Sequence, residues 1–83
     1  MKAVDLIHQE FDYYLSLCDR LEVSSSFHKT QLRSMMKAST KRFRKMEDIM
    51  FSNAKDIDHA YEVMLRSFPM SLLPHDHPRK NNY

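Results

Sequence analysis

Four groups of residues have the chemistry to do something beyond folding. His75, Asp76 and His77 stand together in HDHP, and imidazole and carboxylate are competent metal ligands. A stable metal site needs three or four ligands held in geometry. This trio lies in a polar, proline-flanked segment with no cysteine beside it and no helical HExxH spacing, so no metal is expected there. His28 follows Ser24, Ser25 and Ser26, the residue types of a base and a nucleophile. Catalysis also requires an orienting group and donors for an oxyanion, and serines ahead of a helix serve more commonly as caps. The single cysteine, Cys18, allows neither an internal disulfide nor a thiolate cluster and falls at an apolar helical position. A free cysteine at such a position packs as a small hydrophobe. The fourth group is the run from Lys29 to Met46, KTQLRSMMKASTKRFRKM, with seven basic residues and no acidic one.

Composition narrows the classes of function. With 83 residues the chain is long enough for one domain, and at 42% hydrophobic and 29% charged it belongs with globular proteins. It contains no glycine. Phosphate-cradling loops and dinucleotide fingerprints need glycine so that backbone N–H groups can approach the phosphates. A nucleotide-driven enzyme is therefore not expected, and neither is any other enzyme activity or a cofactor. The N-terminal stretch MKAVDLIHQEFDYY is interrupted by Asp5, His8, Glu10 and Asp12, which does not suit a signal peptide. No window approaches the roughly 20 apolar residues of a membrane span, so no membrane insertion and a cytoplasmic protein are expected.

Three helices must position these groups. Val4, Ile7, Phe11, Tyr14, Cys18 and Leu21 recur in steps of three and four, predicting a helix over about 2–22 with this stripe as its core face. A serine-rich break leads into a second helix over about 27–51. Its apolar side carries Leu32, Met35, Met36, Phe43, Met46 and Met50, and its other side Lys29, Arg33, Lys37, Lys41, Arg44 and Lys45. SNAKD marks another break, with Asn53 or Asp56 as the next cap. A third helix over about 56–68 ends at Phe68, because Pro69 disfavours helical geometry in the residue before it. Leu72 and Leu73 are expected to fold back over the bundle end. The fold class is all-α, a long antiparallel hairpin plus a shorter third helix, as one domain over 1–73 with a mobile polar tail over 74–83. A third helix half as long as its neighbours leaves part of the hairpin seam uncovered, so a homo-oligomer or a protein partner is expected.

Two surfaces are candidates for that partner. The charge is segregated: residues 1–23 carry a net −3, residues 24–46 a net +7 and residues 47–68 a net −3. Cations three or four apart align on one helix face and could meet phosphates or acidic side chains. The same face could equally be the solvated side of a surface helix. Direct nucleic-acid binding is the weaker alternative, because the whole chain is only +2 and Phe43 points toward the expected core. Leu6, Tyr13 and Leu17 form a second stripe on the first helix, either a widening of the core or a contact face for another chain.

Beyond these patterns, EFDYYLSLCDRL in the first helix, SSSFHKTQ at the turn and AYEVMLRSFP in the third resemble the RIII family of lysis-inhibition accessory proteins (co-antiholins) of T-even-type phages. The resemblance covers most of the chain, although none of these segments is a diagnostic motif. It implies a non-enzymatic protein of the host-cell cytoplasm. Such a protein binds the cytoplasmic part of the phage holin and helps to delay lysis. It supplies no functional-residue pattern, so the site residues remain those read from the chain itself.

Overall fold

Each helix boundary has a local cause. In the computed structural model, which describes residues 2–53 and 55–81, α1 spans Ala3–Val23. The Asp5 carboxylate accepts the Lys2 backbone N–H at 2.9 Å and places negative charge in the first turn, where the helix dipole favours it. At the other end the Ser24 hydroxyl donates to the Arg20 carbonyl. After the short Ser24–Ser25 connection, α2 runs over Ser26–Ser52. Asn53 closes it, its side-chain amide donating to the Ile49 carbonyl at 3.0 Å. Asp56 then caps α3, Ile57–Ser67, by accepting the His59 N–H at 3.0 Å. Phe68 and Pro69 stop α3, a 3₁₀ turn covers Met70–Leu72, and a one-turn helix α4 spans Pro78–Asn81. Met1, Ala54, Asn82 and Tyr83 lie outside the described residues. With them go the first residue of the expected domain, part of the SNAKD break and the end of the expected tail.

The fold is all-α, and the hairpin of α1 and α2 is its backbone. α3 packs against both long helices, and α4 packs against α1. The molecule measures 45 × 26 × 17 Å, the long dimension set by α2. A helix of that length rises about 40 Å. Two apolar clusters fill the hairpin. The larger gathers Ala3, Leu6, Met46, Ile49, Ala60, Met64 and Phe68 where α3 covers the seam. The smaller gathers Tyr13, Leu17 and Leu32 beyond the reach of α3. Leu73 is buried and Leu72 is exposed, so only one of the two closes the bundle end.

The rotation of α1 differs from the expectation. Val4 and Phe11 are 41% and 48% exposed, and Ile7, Tyr14, Cys18 and Leu21 are only partly covered. The buried face is instead Ala3, Leu6, Glu10, Tyr13 and Leu17. It keeps the same alternation of three and four, with a carboxylate in the middle place. Periodicity counted on apolar residues alone passes over Glu10 and phases the helix roughly 100° away. On α2, likewise, Ser39 and Ile49 are buried beside Leu32 and Met46, while Met35, Met36, Phe43 and Met50 are half-buried.

The tail also differs. Residues 74–81 pack back onto the bundle rather than leaving it: Leu73 anchors their start, and His77 is 2% exposed. Arg79 donates to the Phe68 carbonyl at 2.6 Å, which ties the segment to the end of α3.

Because Leu17 is fully buried, Leu17→Ala is expected to lower unfolding free energy by about 2–5 kcal/mol. Val23→Ala, at a position 86% exposed, is expected to change it by less than about 0.5 kcal/mol. Urea denaturation of the two variants checks the assignment of core and surface.

Candidate functional site

The polar layer between the two apolar clusters is built around Glu10. Its carboxylate is fully buried and has three protein partners. The Ser39 hydroxyl donates to Oε2 at 2.6 Å. Arg42 donates through Nε to Oε1 at 2.7 Å and through a terminal nitrogen to Oε2 at 3.2 Å. His77 Nε2 lies 3.1 Å from Oε1. Ser39 and Arg42 are three apart on α2, so one turn of that helix presents both to the same carboxylate.

Burial by itself pushes the Glu10 pKa up. The hydrogen bonds from His77, Arg42 and Ser39, with the Arg42 charge, more than offset it and bring the pKa down to about 2 from an ordinary 4.5. Glu10 is thus a stably ionised structural group. A catalytic acid or base near neutral pH needs the opposite tuning.

Asp76 makes the second link to the tail. It accepts the Tyr13 hydroxyl at 3.0 Å and pairs with Arg20 at 2.8 Å. Burial pushes the Tyr13 phenol up, and the hydrogen bond to the Asp76 carboxylate and its charge push it further, to about 12. Burial raises the Asp76 pKa as well, but its bonds with Arg20 and Tyr13 outweigh that and hold it below the ordinary carboxylate value. The Tyr13 ring lies near both groups that bind Glu10, its centroid 4.8 Å from that of His77 and 6.0 Å from the Arg42 guanidinium carbon.

The structure therefore disperses the HDHP trio. His75 is exposed, Asp76 faces Tyr13 and Arg20, and His77 is spent on Glu10. Among the described residues no three His, Cys, Asp or Glu side chains gather as a metal ligand set. Ser25 Oγ does approach His28 Nδ1, at 2.9 Å, but the pair is solvent-exposed at the N-terminus of α2. Cys18 is partly covered and unbonded.

Leu6, Tyr13 and Leu17 are no contact stripe. They are 2%, 2% and 0% exposed inside the hairpin, so the expectation that they face a partner is corrected. The rotation that buries them turns the other apolar stripe outward. Phe11 meets Phe43 at 6.2 Å, and an open hollow of about 260 Å³ is lined there by Glu10, Phe11, Tyr14, Ser39, Thr40 and Phe43. Toward the α1 N-terminus the same groove widens to a hollow of about 340 Å³ lined by Ile7, Phe43, Glu47, Met50 and Phe51.

The basic face of α2 is where the sequence put it. Arg33, Lys37, Lys41, Arg44 and Lys45 are exposed, and Lys29 is half-buried. Lys45 Nζ sits 5.6 Å from the centre of the Phe68 ring. The ion pairs among the described residues join Arg20 to Asp76 and Glu10 to Arg42 and His77, and none uses a residue of this face.

Compared with known proteins, the chain matches no family model, no curated protein and no solved structure. No described helix is long and apolar enough to cross a membrane.

The depressed Glu10 pKa sets the acid behaviour. The unfolded chain takes up this proton near pH 4.5, whereas the folded one resists it down to about 2. The stabilisation is therefore complete above about pH 5 and is lost as pH falls toward 2, on the order of 3 kcal/mol from this group. Glu10→Gln is expected to be less stable at pH 7 and to show a flatter decline in this window, as read by melts at stepped pH. Ending the chain at Leu73 removes His77 and Asp76 from their partners and is expected to cost at least about 2 kcal/mol. An unchanged melt would show that the segment contributes nothing to the core.

Proposed function

We propose that the protein is a small non-enzymatic regulator that acts by binding another protein through the basic face of α2. The observation that carries this reading is the row Arg33, Lys37, Lys41, Arg44 and Lys45. These five cations are exposed on one side of a helix whose other side is fixed in the core, and no ion pair among the described residues neutralises them. Charges that folding leaves unpaired are free to steer and orient a partner. They fit an acidic segment, held on a rigid element rather than on a loop.

The resemblance to the RIII co-antiholins supplies the candidate partner, the cytoplasmic part of a phage holin. Binding there shifts the holin away from its membrane-breaking assembly and delays lysis of the host cell. The site of action on this reading is the cytoplasmic side of the membrane.

Nucleic acid is the competing ligand for the same face. Phe43 is turned into the apolar groove and Arg42 into the Glu10 layer, so the exposed row holds five of the run's seven cations and no aromatic for stacking on bases.

Co-expression with the soluble cytoplasmic segment of a T-even-type holin tests the proposal. The two are expected to co-purify after nuclease treatment, and Lys41→Glu with Lys45→Glu is expected to weaken the complex at least tenfold. In cells expressing the full holin, the wild-type chain delays the fall in turbidity and the double variant does not. Co-purification of nucleic acid alone, released by nuclease and by moderate salt, would overturn the protein-docking reading.

A further inference from the structure

The groove between α1 and α2, on the side away from α3, is an apolar surface that folding leaves open. Phe11 and Phe51 line it at 48% and 80% exposed, and Val4 and Leu15, seven residues before and four after Phe11, follow on the same side of α1 at 41% and 44%. α1 runs for 21 residues, or about 30 Å, and two packed helices are about 20 Å wide. The face therefore offers roughly 600 Å² per chain, close to the approximately 800 Å² that each partner contributes to a standard stable interface.

Its two edges carry opposite charge. Asp12 and Asp19 follow Phe11 and Cys18 by one residue and lie about 100° further round α1, on the outer edge of the groove. Lys37 and Arg44 follow Met36 and Phe43 in the same way and form the outer edge on α2. All four are exposed.

The register of the hairpin is set by Glu10 against Ser39 and Arg42, Phe11 against Phe43, and Leu17 against Leu32. It places Asp12 at a height between Lys37 and Arg44, and Asp19 at the height of Arg33. A twofold axis parallel to the helices preserves these heights and lays α1 of one copy over α2 of the other. Each acidic edge then falls between the cations of the opposite edge, twice over. The other face-to-face twofold, perpendicular to the helices, stacks α1 on α1 and α2 on α2 and opposes like charges.

We infer that this groove is the interface between two copies of the chain, related by a twofold axis along the hairpin, with α1 of each seated on α2 of the other. Two such hairpins complete a four-helix bundle, with α3 on its outer sides. The interface uses Phe11 and Phe51 as apolar anchors, and Lys37 and Arg44 with Asp12 and Asp19 as the edges that choose the orientation. Lys37 and Arg44 of the docking row are then taken by the dimer edge, while Lys41 and Lys45, farther round α2, stay free for a docking partner, so this inference goes beyond the docking proposal and does not depend on it.

Light scattering of the purified chain alone tests it. The expected mass is twice the 10.0 kDa of one chain. Phe11→Asp and, independently, Phe51→Asp are expected to give monomers with the helical circular dichroism of the wild type. Asp12→Lys with Asp19→Lys is expected to weaken the dimer at least tenfold. Mixing that variant with Lys37→Glu, Arg44→Glu protein is expected to restore it, since each edge again meets its opposite. A chain that stays monomeric at every concentration overturns the inference, as does a monomer that instead takes an added amphipathic helical peptide on this face. A dimer indifferent to the Asp12 and Asp19 changes overturns the orientation and with it the inference. Loss of the dimer with holin binding intact would separate this failure from failure of the docking reading.

Discussion

A carboxylate at the centre of the hairpin governs how everything else is arranged. Taking an ion out of water costs several kcal/mol even after relaxation, so Glu10 can be buried only where donors surround it. The donors come from two distant parts of the chain, Ser39 and Arg42 on α2 and His77 in the tail. Their convergence fixes the rotation of α1, its register against α2 and the path of the segment after α3. Apolar contacts alone would tolerate a slip of α1 by one turn, because Leu6, Tyr13 and Leu17 could repack against other methionines. The carboxylate would not, since a slip strands both it and Arg42 in the core without partners.

The consequences follow from the size of the chain. Small proteins bury a smaller share of their surface than large ones, so the faces that reach the core are few. Committing α1 to the Ala3–Leu6–Glu10–Tyr13–Leu17 face leaves the equally apolar Val4–Phe11–Leu15 side outside. α3 is too short to cover the whole seam. Where it stops, the segment carrying Asp76 and His77 takes over and protects Tyr13 and Glu10 from water. The polar layer thus closes one side of the hairpin and, by fixing the rotation, opens the other.

Much of this was legible in the residues. The three long helices fall within a residue of their expected ends, because local chemistry sets those ends: the serine connection, Asp56 as a cap and Pro69 as a stop. The phase of α1 was not legible from hydrophobicity, since both of its stripes are apolar and a carboxylate argues for solvent. The signal lay in two details. Admitting Glu10 to the pattern completes a spacing of three and four from Ala3 to Leu17, and Arg42 is the one cation of the basic run that stands off its shared face. The role of the tail was hidden for a different reason. HDHPRK reads as polar and solvent-seeking, and only the fold reveals that Glu10 needs His77 and that Tyr13 and Arg20 await Asp76.

The segregation of charge between the helices is not consumed by folding. α2 holds seven of the thirteen cations and α1 five of the eleven acids, yet the ion pairs among the described residues involve Arg20, Arg42 and His77 rather than the exposed row. Pairs at a solvated surface stabilise a fold by less than about 1 kcal/mol and are screened beyond about 8 Å at physiological salt. Stability therefore gives no reason for the six cations other than Arg42 to stand in one stretch without an acid among them. Association does, because opposed edges of fixed charge select orientation and partner even where they add little affinity. The buried carboxylate and the exposed cations divide the work accordingly: Glu10 determines which faces remain outside, and the charge pattern determines what settles on them.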